Sequence, residues 1–152
     1  MLKTRKTWRE KLERDQEPKV VDDRRGRGKV LIPKPLDVDA LVRRIDKGKL
    51  ATDKQIREQL AKDFHADFAC PMTTGIFIRI AAETAEVDLG NRKGQVAPYW
   101  RVIKADGSLN QRFPCGTEAQ ATHLRQEGHS IKPSKGKKPP RVKDFEKSLH
   151  KL

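Results

Sequence analysis

Two aromatic residues and a basic residue lie side by side at Tyr99, Trp100 and Arg101, in a chain whose aromatic content is only 5%. A phenol with a pKa near 10 and no adjacent base is a poor nucleophile, so this group favours binding over covalent chemistry. It is either a core strand that buries both rings or the wall of a pocket that holds a flat ligand. The turn signal Asp106-Gly107 downstream predicts a strand over residues 99–104 that enters a hairpin.

The cysteines and histidines form no catalytic or metal-binding pattern. Cys70 and Cys115 are too few for a disulfide framework, and the four histidines are scattered without ligand spacing. We therefore expect neither a metal nor a cofactor. Residues 1–15 contain no secretory apolar core and no run approaches 18 apolar residues, which favours a cytoplasmic, nucleoid-associated location.

The net charge of +13 is concentrated at the two ends of the chain. Residues 1–34 contain 12 basic and 6 acidic residues, residues 132–152 contain 8 and 2, and the segment between them is nearly neutral. This imbalance favours a polyanionic partner, most often nucleic acid, whose phosphates the flanks would attract. The alternative is that the flanks only keep the protein soluble.

Three helices and a hairpin are predicted in the middle of the chain. The first helix, over residues 37–46, has a single apolar stripe, and the second, over 53–64, begins with a Thr52/Gln55 capping box. The third, over 71–88, is apolar on most sides. This order predicts an α+β protein with a winged helix-turn-helix core, in which the third helix enters a DNA groove and the hairpin is the wing.

The third helix should keep one exposed strip for DNA, formed by Met72, Gly75 and Arg79 with Thr73 and Thr74 beside it. Gly75 has two interpretations. Its missing side chain either lets DNA approach the backbone closely or allows tight packing against another helix.

The flanks are expected to dock on this core through short helices. A helix over residues 4–15 places Trp8 inward, and a terminal helix over 143–151 does the same with Phe145 and Leu149. A basic loop precedes a short strand predicted at 30–32 and contains Arg24, Arg25, Arg27 and Lys29. This loop is either a disordered linker or an arm that contacts phosphates. A helix is predicted over residues 117–128, with a Thr117/Gln120 capping box, then a short strand over 129–132 and a mobile segment over 134–140.

In four ordered segments the chain resembles the O6-alkylguanine-DNA alkyltransferases. Their Pro-Cys-His-Arg-Val motif corresponds to Pro98-Tyr99-Trp100-Arg101-Val102, and their Ile-Pro-x-Gly-x-Val-x-Thr segment to residues 45–52. Gly107 and Gly116 fall where the family has a hairpin glycine and a glycine pair, and residues 124–128 are similar to its Leu-Leu-x-x-Glu-Gly ending. The resemblance implies three divisions: a basic amino-terminal helix and linker (1–36), a winged-helix domain (37–131) and a basic tail (132–152).

The departures from that family change the implied activity. Tyr99 stands at the acceptor cysteine and Trp100 at the neighbouring histidine, so only the acid, Glu127, remains of the Cys-His-Glu relay. The pattern is similar to the alkyltransferase-like proteins, which bind alkylated DNA without repairing it. A lesion pocket is then implied at Tyr99, Trp100, Arg101, Cys115, Gly116 and Glu127. Cys115, with no base beside it, is a weak candidate for an alternative alkyl acceptor.

The implied DNA contacts also depart from the family. Met72 replaces the arginine that fills the space of a flipped base, and could act as an apolar wedge. Asp53 replaces a phosphate-contacting tyrosine, and Asn91 lies eight residues before Tyr99 as in the family, although after a longer helix. We therefore expect a non-enzymatic protein that binds double-stranded DNA at O6-alkylguanine and flags it for a repair protein. The alternative is a general winged-helix DNA-binding or regulatory protein.

Overall fold

Helix α4 (Pro71–Gly90) is the element against which most of the protein packs. The computed structural model describes residues 5–152, so the start of the predicted amino-terminal helix at residue 4 lies outside the described residues. Helix α4 has a proline at its first position, as expected for a residue without an N–H to satisfy. It buries nine residues, more than any other described helix. Its main helical neighbours are α1 (Trp8–Leu12), α2 (Pro35–Arg43) and α3 (Asp53–Asp63).

The three core helices lie close to their predicted positions. Helix α2 begins at Pro35, two residues early, because proline fits the first turn of a helix, and it ends three residues early at Arg43. Helix α3 has the predicted capping box. The Thr52 hydroxyl accepts from the Gln55 amide at 3.0 Å, and the Gln55 side chain accepts from the Thr52 amide at 2.8 Å.

The basic loop of residues 22–29 is not a disordered linker. It closes an antiparallel hairpin between β1 (Lys19–Asp22) and β2 (Lys29–Ile32). Strand β2 also pairs in parallel with β4 (Phe68–Ala69), immediately before α4, and Leu31 is fully buried. The predicted boundary at residue 36 therefore separates elements that pack together.

The predicted strand over residues 99–104 is largely wrong. Residues Tyr99–Arg101 form a 3-10 turn, and only β5 (Val102–Ile103) is extended, paired in parallel with β3 (Ala51–Thr52). The Asp106-Gly107 turn is confirmed, since the Lys104 amide donates to the Ser108 carbonyl at 2.9 Å. After the turn, however, Ser108 bridges to Arg141 instead of β5. Residues 5–152 therefore show no two-stranded wing at this point.

The carboxyl-terminal part folds back on this turn. Strands β6 (Ile131–Lys132) and β7 (Arg141–Val142) pair across the segment that was expected to be mobile. Phe145 packs into a second core cluster and Leu149 packs against it, as predicted, although through a 3-10 turn (Phe145–Ser148) instead of an α-helix. Gly107 has a φ of +87°, and a Cβ there would lie 2.4 Å from the Phe145 ring, so no other residue fits.

Helix α5 (Gly116–Gln126) does not have the predicted capping box. Thr117 lies within the first turn, and Cys115, in left-handed conformation, is the capping residue without a side-chain hydrogen bond. Gln120 is fully buried, and its amide donates to the Val102 carbonyl at 2.8 Å while its oxygen accepts from the Asn110 amide at 2.9 Å. The Gln120 side chain, which a capping box would need, is thus engaged in tertiary hydrogen bonds with β5 and Asn110.

No helix among residues 5–152 is long and apolar enough to cross a membrane.

Candidate nucleic-acid interface

An open groove of about 780 Å³ runs between α1 and the exposed face of α4. Its lining includes apolar side chains of Trp8, Met72 and Ile76. It also includes six basic residues and, within the described chain, no acidic one: Lys6, Lys11, Arg14, Arg79, Lys104 and Arg112. These cations come from four separate segments, so only the tertiary structure gathers them. A concave, acid-free and cationic surface of this size is a suitable binding site for a polyanion.

The predicted strip on α4 forms one wall of this groove. Met72 is 73% exposed and Ile76 is 52% exposed, so two large apolar side chains lie one helical turn apart on the same open surface. A Cβ built on Gly75, between them, would have nothing within 4 Å. Tight helix packing therefore does not account for this glycine, and the interpretation that leaves room for a ligand is favoured.

The two threonines beside the strip do not line the groove. Thr74 is buried, and its hydroxyl has no hydrogen-bond partner among the described residues. The Thr73 hydroxyl contacts the sulfur of Cys70 at 3.3 Å. Of the predicted contacts on α4, the structure brings Met72, Gly75 and Arg79 into the groove.

The four basic residues predicted to contact phosphate from the β1–β2 loop, Arg24, Arg25, Arg27 and Lys29, lie outside the groove. Two of them are paired with acids: Arg27 with Asp23 at 2.8 Å and Lys29 with Asp22. The side-chain hydrogen bond from Arg27, together with those from the backbone N–H groups of Arg27 and Arg25, lowers the pKa of Asp23 to about 2. Arg24 and Arg25 are exposed and form no ion pair among residues 5–152, so they carry most of the free charge of this hairpin.

Tyr99, at the predicted acceptor position, is fully buried. Its ring packs edge-on against Trp100, Phe113 and His123, and its hydroxyl donates to Glu86 Oε1 at 2.6 Å. Burial and the hydrogen bond to Glu86 raise the pKa of the phenol above its ordinary value. Both effects make the phenolate less available as a nucleophile at neutral pH.

Glu127 is held in a buried network. Arg101 donates two parallel hydrogen bonds to its carboxylate, at 2.9 and 2.8 Å, and the Trp100 indole donates a third at 2.8 Å. The Gly48 amide donates to the same group, and Arg101 also reaches the Ile45 carbonyl at 2.6 Å. Burial raises the pKa of Glu127, but these hydrogen bonds outweigh it and keep the pKa below its usual value. The network ties α5 to the end of the α2 segment, which is a structural role.

A second space, a shallow and open depression of about 710 Å³, lies between the second half of α4 and the loop of residues 111–115. Of the six residues predicted to form a lesion pocket, only Cys115 lines it; the rest of the wall is Arg79, Glu83, Glu86, Val87, Gln111, Arg112, Phe113 and Pro114. Tyr99 lies behind this wall, because it contacts Glu86 and Phe113. We call this space the α4–loop pocket. It shares Arg79 and Arg112 with the basic groove, so the two spaces adjoin.

Sequence reasoning missed the most important residues of the α4–loop pocket. Glu83 and Glu86 lie in a helix that was predicted from its apolar residues, so its acidic residues suggested no function. Phe113 lies in a segment whose apolar residues have neither helical nor strand periodicity. His123, which stacks on Trp100 at 4.2 Å and contacts Glu86 at 3.1 Å, was also missed. The one available signal was the spacing of Glu83 and Glu86, which places both on one face of α4. In the described part of the chain, no group of three or more potential ligands could hold a metal ion.

Two solved structures share this fold. Both are of S. pombe Atl1, an alkyltransferase-like protein: one in complex with damaged DNA that contains O6-carboxymethylguanine, the other in complex with DNA. Each is 18% identical to this chain, with a TM-score of 0.53, and the match covers 78% of this chain and 94% of the other. No protein-family model matches the sequence, and no curated protein is significantly similar to it. The predicted resemblance to alkyltransferase-like proteins is thus confirmed at the level of the fold.

Proposed function

We propose that this chain, which has the fold of an alkyltransferase-like protein, binds double-stranded DNA without chemically altering it. The observation that carries the proposal is the acid-free groove along α4, where six basic side chains surround exposed apolar ones. Duplex DNA carries one phosphate charge per roughly 1.7 Å of axis, so such a groove neutralises several phosphates and releases their counterions.

The exposed face of α4 supplies the groove-reading element of this proposal. Helix α4 acts as the recognition helix of a winged-helix core, and the segment around the Asp106-Gly107 turn, which includes Lys104 of the groove, takes the place of the wing. Met72 and Ile76 are the right type of residue to wedge between bases, because apolar side chains unstack a base step and tolerate the loss of water. Gly75 between them lets the backbone approach.

Lesion recognition is the more specific part of the proposal. A related fold has been solved with DNA that contains an O6-alkylated guanine. The α4–loop pocket adjoins the groove and has an apolar wall at Val87, Phe113 and Pro114. A base extruded from the duplex loses its stacking and needs a surface of this kind. O6-alkylguanine already pairs poorly, so its extrusion costs less than that of a normal base.

The residue at the acceptor position supports a protein without repair chemistry. Tyr99 is buried and its hydroxyl is engaged by Glu86, so no activated nucleophile faces the pocket from that position. Cys115 is exposed, but no described residue hydrogen-bonds its thiol as a base would. A repair protein that acts on the flagged lesion would be a further partner, and a cytoplasmic, nucleoid-associated location would suit this role.

The test is a titration of this protein against three matched duplexes, one unmodified, one with O6-methylguanine and one with O6-methylguanine that carries a labelled methyl group. Tighter binding to the methylated duplexes, with all label left on the DNA, is the expected result. Equal affinity for modified and unmodified duplexes would favour the general DNA-binding alternative. Label recovered on Cys115 would show that the protein is an alkyltransferase with a displaced acceptor.

A further inference from the structure

The α4–loop pocket differs from the groove beside it in its charge, because its two arginines and two glutamates balance whereas the groove is cationic. Arg79 and Arg112 line both spaces and so lie where they meet, whereas Glu83 and Glu86 line the pocket alone. A phosphate is therefore attracted to the side at Arg79 and Arg112 and repelled from the side at Glu83 and Glu86. The side of the pocket that carries Glu83 and Glu86 favours a flat, uncharged group that brings hydrogen-bond donors to these carboxylates.

We infer that Glu83 and Glu86 select an extruded purine by its 2-amino group, an inference that rests on the proposed function. O6-alkylation removes the N1–H of guanine but leaves the amino group at C2, which becomes the only donor on the Watson–Crick edge. A carboxylate accepts such a donor and offers none, so it rejects bases that present only acceptors. The apolar wall at Val87, Phe113 and Pro114 would cover the face of the base and its alkyl group.

The structure holds the Glu86 carboxylate in place before any ligand arrives. Glu86 Oε1 accepts from the Tyr99 hydroxyl at 2.6 Å and contacts His123 at 3.1 Å, which fixes the side chain against the buried aromatic group. Its side chain remains 28% exposed. Glu83 is 19% exposed and forms an ion pair with Arg79 at 3.8 Å, a distance that leaves its oxygens free to accept a hydrogen bond. Preorganised acceptors bind a donor without a reorganisation cost, which is how a small polar difference becomes selectivity.

The experiment compares three duplexes of one sequence that contain guanine, O6-methylguanine or O6-methylhypoxanthine at one position. The last base is O6-methylguanine without its 2-amino group. We expect the wild-type protein to bind the O6-methylguanine duplex roughly tenfold more tightly than the O6-methylhypoxanthine duplex, the factor typical of a hydrogen bond to a charged acceptor. The readout is the ratio of the affinities for the two methylated duplexes. A ratio is needed because a variant that loses a negative charge binds all DNA more tightly.

Three variants are compared with the wild type: Glu83→Gln, Glu86→Gln and Glu146→Gln. We expect at least one of the first two to reduce the ratio towards one. Glu146 is exposed on the carboxyl-terminal turn, so its variant makes the same change in net charge and should leave the ratio unchanged. Thermal unfolding of each variant is measured alongside. If Glu86→Gln loosens the Tyr99 hydrogen bond and unfolds, Glu86→Asp, which keeps the charge but withdraws the carboxylate by one methylene group, takes its place. The ratio must then fall in Glu86→Asp or in Glu83→Gln, and a ratio preserved in both overturns the inference.

The outcomes separate this inference from the proposed function. Equal wild-type affinity for both methylated duplexes, each above the unmodified one, would overturn the 2-amino inference and leave lesion recognition intact. Equal affinity for all three duplexes would overturn both. A wild-type ratio that both Gln variants preserve would assign the 2-amino group to a different part of the protein, and the carboxylate inference would be wrong.

Discussion

The exposed face of α4 and the Tyr99 segment both carry large side chains, but the fold places them in opposite environments. Around Tyr99 every aromatic or charged group is engaged: the phenol by Glu86, and the indole of Trp100 together with Arg101 by Glu127. On α4, Met72 and Ile76 face open space beside a glycine. Side chains that are both buried and paired stabilise the fold, whereas side chains that keep exposed surface remain available for a ligand.

The expected binding surface therefore lies away from the residues that first suggested it. The aromatic pair supports the α4–loop pocket from behind and does not line it. Substitutions around Tyr99 should change stability first, and substitutions on the groove should change DNA affinity first. The following changes test that division, from the largest expected effect to the smallest.

Glu127→Ala should produce the largest loss of stability. It leaves the Arg101 guanidinium, whose side chain is 13% exposed, without its carboxylate. Breaking a buried ion pair on one side costs about 3–5 kcal/mol, and urea unfolding measures it. The exposed Glu58→Ala should stay within about 0.5 kcal/mol of wild type. A loss below about 1 kcal/mol for Glu127→Ala would show that the network is not structural.

The same carboxylate predicts a pH dependence. Since the folded-state pKa of Glu127 is lowered from 4.5, its contribution to stability is complete above that value and is lost as the pH falls through the folded pKa. Unfolding free energy measured from neutral pH down through that range should therefore decline more steeply in the wild type than in Glu127→Gln. Parallel curves would contradict the assignment.

Tyr99→Phe should cost about 1–3 kcal/mol of stability, because Glu86 loses a buried donor while the packing of the ring is kept. Tyr99→Ala should cost about 3–5 kcal/mol, as expected for an aromatic residue in the core. Both are measured by thermal unfolding. In the folded Phe variant the preference for alkylated DNA should fall only in part, because Glu86 loses the hydroxyl that fixes it but keeps its carboxylate. A stable Tyr99→Ala protein that has lost only this preference would restore Tyr99 to the pocket wall.

Replacing Lys11, Arg14 and Arg112 together by alanine should weaken binding to any duplex roughly tenfold or more. It should also flatten the dependence of log affinity on log salt by about one unit for each phosphate that the variant no longer neutralises. Lys137, Lys143 and Lys147, which do not line the groove, form the matched control set. Equal losses in the two triple variants would mean that general charge, and not the groove, sets the affinity.

Gly75→Ala should have small effects of opposite sign on stability and on binding. A methyl group there meets no atom within 4 Å, and alanine in a helix is favoured over glycine by about 0.5–1 kcal/mol, so the protein should become slightly more stable. DNA affinity should nevertheless fall severalfold because the backbone can no longer approach the duplex as closely. Unchanged affinity in this stabilised variant would falsify a direct contact at Gly75.

Features that depend on near neighbours in the chain could be predicted from the sequence. The core helices, the Thr52 cap and the Asp106-Gly107 turn follow from local propensity and from apolar periodicity, and the structure confirms them. The likeness of the fold to alkyltransferase-like proteins was also predictable, from an ordered set of weak motifs.

Which side chains are occupied and which are free depends instead on contacts across the fold. Gln120 does not form the predicted cap, because its side chain donates to the backbone carbonyls of Trp100 and Val102. Tyr99 can be buried because Glu86, thirteen residues earlier, supplies an acceptor for its hydroxyl. The six cations of the groove come from α1, α4 and the segments around them, and no local pattern reveals that they meet. Burial and pairing arise between residues far apart in the chain, so a pattern along the sequence predicts the elements better than it predicts the site.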